Sequence, residues 1–279
     1  MRERAIAELA AAGVPDPVVD AELLLAHSMN LTRGQVQAKI ALDALLAPEL
    51  VAGFQALANR RAAREPLQHI TGRAPFRSVE LSVGPGVFVP RPETELVAQF
   101  AIDALRASAE SEPIAVDLGT GSGAIAIALA TEVPHARIFA VELSRDAHAW
   151  ASRNVAASRA GNLELRLGDL ATAFPELDGR AAVAISNPPY VPTNAVPRDP
   201  EVRMFDPAVA LYGGVDGLEI VRKVSVASLR LLHAGGTLVI EHGEMQGAGI
   251  RDLLAADGWR AASTHPDLLG RDRATTALR

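Results

Sequence analysis

Ile114-Ala115-Val116-Asp117-Leu118-Gly119-Thr120-Gly121-Ser122-Gly123 decides the fold of this chain. Five residues of strand character run straight into three glycines at alternate positions, and a helix-favouring stretch follows from Ser122 to Thr131. A strand that turns sharply into a helix uses glycines there because they tolerate positive φ and let a ligand approach the backbone. The alternation continues outward. Ile138-Phe139-Ala140-Val141 precedes a helix capped by Ser144, and Leu163-Glu164-Leu165-Arg166-Leu167, Ala182-Val183-Ala184-Ile185 and Thr237-Leu238-Val239-Ile240 read as further strands. Strands alternating with helices predict a mainly parallel, Rossmann-like α/β sheet.

Upstream, residues 1–72 read as helical. Ala21, Leu24 and Leu25, then Val51, Phe54 and Leu57, recur at three- and four-residue spacing. Gly13-Val14-Pro15-Asp16-Pro17, Arg33-Gly34 and Pro48 divide the region into short helices. Its charges balance, and Arg60, Arg61 and Arg64 form one local basic spot that reads as a solvated helix face. Over residues 73–90, Phe76, Val79, Leu81, Val83, Val87 and Val89 mostly fall at every second position, interrupted by Gly84-Pro85-Gly86, which predicts a linking β-hairpin. The expected organisation is a helical domain over 1–72, the hairpin over 73–90, and an α/β domain over 91–279.

Composition bounds the function. The 279 residues are 49% hydrophobic and 22% charged, enough apolar matter for a sizeable core. No cysteine is present, so disulfides, thiolate metal sites and cysteine nucleophiles are excluded. The seven histidines show no ligand spacing, and no metal is expected. The apolar run from Ala124 to Ala130 is far shorter than the roughly 20 residues that span a bilayer. Met1-Arg2-Glu3-Arg4 lacks the apolar stretch of a signal peptide, so a cytoplasmic location is expected. A net charge of −6 argues against extensive duplex binding.

Glu142 ends the strand after the glycine loop, nineteen residues beyond Gly123, where an acidic side chain can accept both ribose hydroxyls of an adenosine. Gly119, Gly121 and Ala124 also satisfy a loose dinucleotide pattern, so a nicotinamide-dependent oxidoreductase competes with a methyltransferase at this point. Asp117, immediately before the glycines, favours the amino group of a cationic sulfonium ligand over a pyrophosphate.

Asn187-Pro188-Pro189-Tyr190 follows the fourth strand at the carboxyl edge, where open α/β sheets bind ligands. These residues suit an NH2 on an sp2 carbon, a poor nucleophile because its lone pair is delocalised. The Asn187 side-chain oxygen can accept one N–H, and the two prolines hold the backbone so that the Pro188 carbonyl accepts the other. Those acceptors aim the lone pair at a methyl donor and stabilise charge growing on nitrogen. The Tyr190 ring can pack against the flat acceptor group. A proline turn closing a strand is the plainer explanation of the tetrapeptide. Its place sixty-four residues after Gly123, in a chain that also carries Glu142, favours the chemical one.

With these segments the chain resembles the release factor glutamine methyltransferases, also called HemK or PrmC, along essentially its whole length. The resemblance runs through Gln68-His69-Ile70-Thr71-Gly72, Phe88-Val89-Pro90-Arg91-Pro92-Glu93-Thr94-Glu95, the glycine loop and the Asn187 motif. It continues through Phe205-Asp206-Pro207, Gly213-Gly214-Val215-Asp216-Gly217-Leu218, Glu241-His242-Gly243 and Asp267-Leu268-Leu269-Gly270-Arg271-Asp272-Arg273. It implies a small N-terminal domain that docks the protein substrate, and a domain that uses S-adenosyl-L-methionine. The substrate it implies is the Gly-Gly-Gln glutamine of class 1 peptide chain release factors, methylated on its side-chain amide.

Carried over by position, Asp117, Gly119, Thr120, Gly121, Ser122, Gly123 and Glu142 bind the cofactor, with Asp169 and Leu170 on the adenine side and Thr94 as a wall. Leu170 stands where many relatives have an aromatic. Asn187 touches cofactor and acceptor, and Pro188, Pro189 and Tyr190 touch the acceptor. The rival readings are an adenine-N6 DNA methyltransferase or a ribosomal RNA guanine methyltransferase, which the balanced charge of the helical region disfavours. A nicotinamide oxidoreductase and a non-catalytic binding module are disfavoured by the intact motif. Neither a membrane nor stable nucleic-acid binding is expected.

Overall fold

The computed structural model describes residues 1–42 and 47–279. These form two compact units: Met1–Arg73 with Pro197–Phe205, and Ala74–Val196 with Asp206–Arg279.

Among the described residues, the first unit is built on α1 (Arg2–Ala11), α2 (Pro17–Met29), α3 (Arg33–Ala41), α4 (Pro48–Ala62) and α5 (Leu67–Thr71), with the segment Pro197–Phe205 added to them. Proline opens α2 and α4, where its missing N–H is not needed. Thr32 and Gln35 cap α3 reciprocally, each side chain taking the other's backbone N–H. Leu9, Leu24 and Phe54 are fully buried at its centre, each contributing roughly 1.5–3 kcal/mol of apolar burial.

The solvated face expected at Arg60, Arg61 and Arg64 holds only for Arg60, which is exposed. Arg61 is 6% exposed; its Nε donates to Asp20 at 2.7 Å, and its Nη1 lies 2.9 Å from Glu201. Arg64 grips Glu201 with Nε and Nη2 at 2.9 and 2.6 Å, and Arg60 pairs with Glu65. The segment Pro197–Phe205 brings Glu201 into this unit, and no local periodicity reports so distant a partner.

The second unit begins with a two-stranded sheet, β1 (Arg73–Phe76) and β2 (Val79–Ser82). Val87 and Val89 lie outside its strands but are buried. Arg77 in its turn takes a left-handed φ of 51° and is anchored to the next helix, α6 (Pro92–Ala107). Its backbone N–H donates to Glu95 at 3.0 Å and its guanidinium reaches Gln99 at 2.7 Å.

The main sheet has seven strands: β3 (Ile114–Leu118), β4 (Arg137–Glu142), β5 (Leu163–Leu167), β6 (Ala181–Ser186), β7 (Leu232–Glu241), β8 (Arg260–Pro266) and β9 (Asp272–Leu278). Their order is β5-β4-β3-β6-β7-β9-β8, and β9 alone runs antiparallel between β7 and β8. The other helices among the described residues are α7 (Ala124–Glu132), α8 (Arg145–Ser158), α9 (Pro200–Phe205), α10 (Ala208–Leu211), α11 (Glu219–Leu231), α12 (Gly247–Ala256) and a short 3-10 turn, Pro175–Leu177. Alternate strand residues feed two cores. Ala115, Val183, Ile185 and Val239 pack with α6 and α7, while Val116, Ala184, Leu238 and Ile240 pack with α11 and α12. The parallel Rossmann-like sheet is therefore as expected, and Ser144 caps α8 by accepting the Ala147 N–H. The β8–β9 edge was not anticipated.

Removing the Arg61 guanidinium strands the Asp20 carboxylate and leaves Glu201 to Arg64 alone. Arg61→Ala is expected to lower the stability of the full chain by about 3–5 kcal/mol in urea unfolding, and Arg60→Ala, at an exposed pair, by less than about 1 kcal/mol. Equal effects of the two substitutions would contradict the buried network.

Candidate active site

Strand order reverses between β3 and β6, and at such a switch point the loops leaving the two strands part and open a crevice. The glycine loop leaves β3 and the Asn187 motif leaves β6. Their register is parallel, with Asp117 opposite Ile185.

Gly119, Gly121 and Gly123 all hold positive φ, at 82°, 59° and 86°. The N–H groups of Gly119 and Thr120 both donate to the Val141 carbonyl at 3.0 Å, which folds the loop over the end of β4. A side chain added at Gly119 or Gly121 would meet nothing within 4 Å, so these two border open space. One added at Gly123 would press on Ile127 at 3.3 Å, so the third glycine serves helix packing.

The carboxylates around this loop differ in their hydrogen bonding. Glu142 accepts the Gly121 N–H at 2.8 Å on Oε2 and the Ser144 N–H at 2.7 Å on Oε1, which leaves each oxygen a further lone pair. Asp117 is fully buried; its Oδ2 accepts the Thr120 hydroxyl at 2.6 Å, and its Oδ1 has no hydrogen-bond partner among the described residues. Burial pushes the Asp117 carboxyl up to about 7, against the pull of the Thr120 hydroxyl and the Ala126 backbone, with Glu142 adding a further upward push. A buried, unpartnered carboxylate oxygen, a second acid with spare acceptors and a close-approach backbone together fit an adenosylated amino acid. Such a ligand presents an ammonium, a ribose diol and a sulfonium.

Ser186 is buried at the end of β6 and donates its hydroxyl to the Leu118 carbonyl at 2.5 Å, tying the two strand ends together. Asn187 is half-buried, and its Nδ2 donates to the Thr94 hydroxyl at 3.4 Å. Among the described residues no hydrogen bond is made to the Pro188 carbonyl. The backbone beyond it is braced. Gln246 Nε2 donates to the Tyr190 carbonyl at 2.9 Å, and the Val191 N–H donates to the Leu211 carbonyl at 2.8 Å. The Gly213 N–H returns a bond to Val191 at 2.9 Å. A Cβ at Gly213 would lie 2.4 Å from the Pro189 carbonyl oxygen, and one at Gly217 2.4 Å from that of Tyr190. Burial holds the proton on the Tyr190 phenol.

Other expected site residues lie as follows. Thr120 and Ser122 are buried within the glycine loop, and Pro189 and Tyr190 are half-buried. Asp169 is exposed just past β5 and accepts the Ala171 N–H at 2.9 Å, while Leu170 packs against the core that contains Phe139 and Phe174. Thr94 is 3% exposed, its hydroxyl oxygen accepts from Asn187, and both residues help to hold the Glu241 carboxyl down against its burial. Glu241 was not singled out from sequence. Ser186 pairs with Ile240, so Asn187 and Glu241 leave their strands side by side.

Residues 1–72 match the family described as PrmC N-terminal domain, and residues 79–234 match the Methyltransferase small domain. A release factor glutamine methyltransferase of Streptomyces coelicolor is 50% identical over 276 residues, which cover 98% of this chain and 95% of that protein. The chain belongs to the release factor glutamine methyltransferase family. It is an S-adenosylmethionine-dependent enzyme with the class I methyltransferase fold. A 4-amino-L-phenylalanine/4-methylamino-L-phenylalanine methyltransferase of Streptomyces pristinaespiralis is 37% identical over 99% of this chain and 93% of its own. The solved hMettl16 catalytic domain, in complex with MAT2A 3'UTR hairpin 6, superposes with a TM-score of 0.55 at 15% identity. It covers 71% of this chain and 75% of that one, a likeness of fold alone.

Two consequences can be measured. Asp117 keeps its proton to about pH 7 when folded but loses it near 3.8 when unfolded. The folded state therefore binds more protons between these values, and stability falls as pH rises through that window. Without ligand, Asp117→Asn should stabilise the protein at pH 8 by about 2–4 kcal/mol, with a smaller gain at pH 5, and it should weaken S-adenosylmethionine binding in calorimetry. A variant equally stable to wild type at pH 8 would refute this. Gly213→Ala should cost about 1–3 kcal/mol in thermal unfolding, because backbone walls the added methyl group on two sides.

Proposed function

We infer that this protein transfers the methyl group of S-adenosyl-L-methionine to the side-chain amide nitrogen of the Gly-Gly-Gln glutamine of class 1 peptide chain release factors. It acts on translation termination in the cytoplasm. The observation that carries this reading is Asn187 followed by an unused Pro188 carbonyl at the switch point, one strand from the glycine loop.

When bound, the cofactor supplies a methyl group activated by a positively charged sulfur. The rest falls to side chains and backbone of this chain. Asp117 Oδ1 takes the ammonium, which supplies the missing partner of a buried acid. Glu142, held by two backbone donors, accepts from the ribose diol with its spare lone pairs. Gly119, Thr120, Gly121, Ser122 and Gly123 form the wall that lets the backbone lie against the ligand, and Asp169 and Leu170 flank the adenine side.

Asn187 Oδ1 and the Pro188 carbonyl each hold one N–H of the glutamine amide. With both hydrogens engaged in the amide plane, the lone pair is drawn out of conjugation and faces the methyl. The two acceptors also stabilise the positive charge that grows on nitrogen until one proton leaves. Pro189 and Tyr190 close the pocket over the flat amide, and the bonds at Tyr190, Val191 and Gly213 keep the Pro188 carbonyl in place. The helical unit docks the protein substrate. Its arginine cluster is consumed by Asp20, Glu65 and Glu201, which supports a protein partner over a phosphate backbone.

A second reading rests on the Streptomyces pristinaespiralis relative, a methyltransferase named for a substrate with an NH2 on an aromatic ring, also an sp2 carbon. The two readings are separated by incubating the enzyme and labelled S-adenosylmethionine with release factor, 4-amino-L-phenylalanine, duplex DNA or ribosomal RNA, and mapping the label by mass spectrometry. Label on the release-factor glutamine is expected. Label only on the arylamine favours the second reading, and label only on nucleic acid overturns both. Asn187→Ala should lower kcat by about 10²–10³-fold with an unchanged melting temperature. Near-normal turnover would remove Asn187 from the acceptor site.

A further inference from the structure

Glu241 closes β7 at 1% exposure, opposite Ala274 of β9, and level with Asn187 through the Ser186–Ile240 pairing. An acid buried so deeply at the edge of a binding crevice is costly to keep charged, and its Oε2 has no hydrogen-bond partner. The polar neighbours it does have are the Thr94 hydroxyl and the Asn187 amide. The Asn187 Nδ2 donates in turn to the Thr94 oxygen.

The polarity of this chain is dictated from its buried end. An ionised carboxylate can only accept hydrogen bonds, and a hydroxyl has one hydrogen to give. With Glu241 ionised, a Thr94 hydroxyl that gives its one hydrogen to the carboxylate keeps only an acceptor oxygen, which calls for a donor. Of the two ends of a carboxamide only Nδ2 is a donor, so Nδ2 turns inward and Oδ1 turns out. The opposite orientation would set the Asn187 NH2 against the NH2 of the acceptor, donor facing donor. A carboxamide has no intrinsic preference between the two orientations; its hydrogen-bond network chooses.

We propose that Glu241 is a positioning residue for methyl transfer, which acts through Thr94 to lock the Asn187 amide with its oxygen towards the acceptor nitrogen. The inference rests on Asn187 being the acceptor-binding residue.

When Glu241 is protonated, its own O–H can donate to Thr94, the Thr94 hydrogen is released towards Asn187, and the lock reverses. Burial pushes the Glu241 carboxyl up to about 7, so this change falls near neutrality. The charged groups that face it are Arg273 on β9, which favours the carboxylate, and Glu93 on α6, which opposes it. The Tyr190 phenol stays protonated beside it. His242, just past β7, spends its ring nitrogens on the Gly243 carbonyl and the Thr275 hydroxyl, and burial lowers its affinity for a proton.

The orientation can be read without turnover. In ¹⁵N-labelled enzyme, the Asn187 side-chain NH2 resonances, assigned by their loss in Asn187→Asp, should shift with a midpoint near pH 7. In Glu241→Gln that titration should vanish between pH 6 and 8. In steady state, wild-type kcat should rise with pH through the same region. Glu241→Gln should lose that rise and at least about ten-fold of kcat at pH 8, with S-adenosylmethionine affinity within about two-fold of wild type. Thr94→Val should reproduce the loss of kcat while leaving the carboxyl group in place, and Thr94→Ser should restore it. The Thr94 pair decides the matter if Glu241→Gln fails to fold. A wild-type Asn187 resonance that does not titrate, or a Glu241→Gln or Thr94→Val enzyme with wild-type kcat and pH profile, overturns the proposal. If the wild-type enzyme methylates no glutamine, the proposed substrate falls, and the resonance titration still decides the lock.

Discussion

The register of three adjacent parallel strands, β3, β6 and β7, sets everything else in the site. Asp117 lies opposite Ile185, and Ser186 lies opposite Ile240, so the ends of these strands stop at nearly one level. The Ser186 hydroxyl fastens β6 to the Leu118 carbonyl just where the glycine loop begins. Because strand order reverses at β3 and β6, their outgoing loops diverge and leave the strand ends open to a ligand. A slip of one residue in β6 would turn Asn187 to the other face and bury it among the core side chains. The chemistry of the site is thus a property of strand alignment before it is one of side chains.

That alignment places acids where water does not reach. Asp117 and Glu241 are both buried, each with one unpartnered oxygen, and burial pushes both up to about 7. Glu142, close by, is satisfied by two backbone N–H groups. The difference separates two kinds of acidic residue in one crevice. Glu142 is preorganised by the fold itself, while Asp117 keeps an unpartnered oxygen for the ammonium proposed above. The unliganded protein carries the free-energy cost of this arrangement, which the two apolar cores on either face of the sheet must offset.

Local features were legible in the sequence and distant partnerships were not. The glycine loop, the Ser144 cap and the five parallel strands could be read because each is encoded within a few residues. The β8–β9 edge was missed because β9, reading Asp272-Arg273-Ala274-Thr275-Thr276-Ala277-Leu278, offers alanine and threonine where Val or Ile would announce a buried strand. It is nonetheless enclosed by β7 and β8, so its small side chains suffice. Arg61 passed for a surface residue because Asp20 and Glu201 lie far away in sequence. Nothing local to Glu241-His242-Gly243 marks Glu241 as a neighbour of Asn187; only the pairing of β6 with β7 reveals it.

On the proposed reading, the Asn187 and Pro188 acceptors suit more than one kind of nitrogen. Two hydrogen-bond acceptors at fixed positions define a plane and a lone-pair direction, and any NH2 on an sp2 carbon satisfies them. A carboxamide nitrogen is more strongly conjugated than an arylamine, so drawing its lone pair out of the plane demands more of those acceptors. Acceptor strength in a low-dielectric crevice depends on how rigidly each oxygen is held and on the charge behind it. Here the Pro188 carbonyl is held by the bonds that brace Tyr190 and Val191, and Asn187 is backed by Thr94 and a buried acid. Rigidity on one side and charge on the other are what the less reactive nitrogen requires. Discrimination between acceptors then falls to whatever surface presents the nitrogen to this pair.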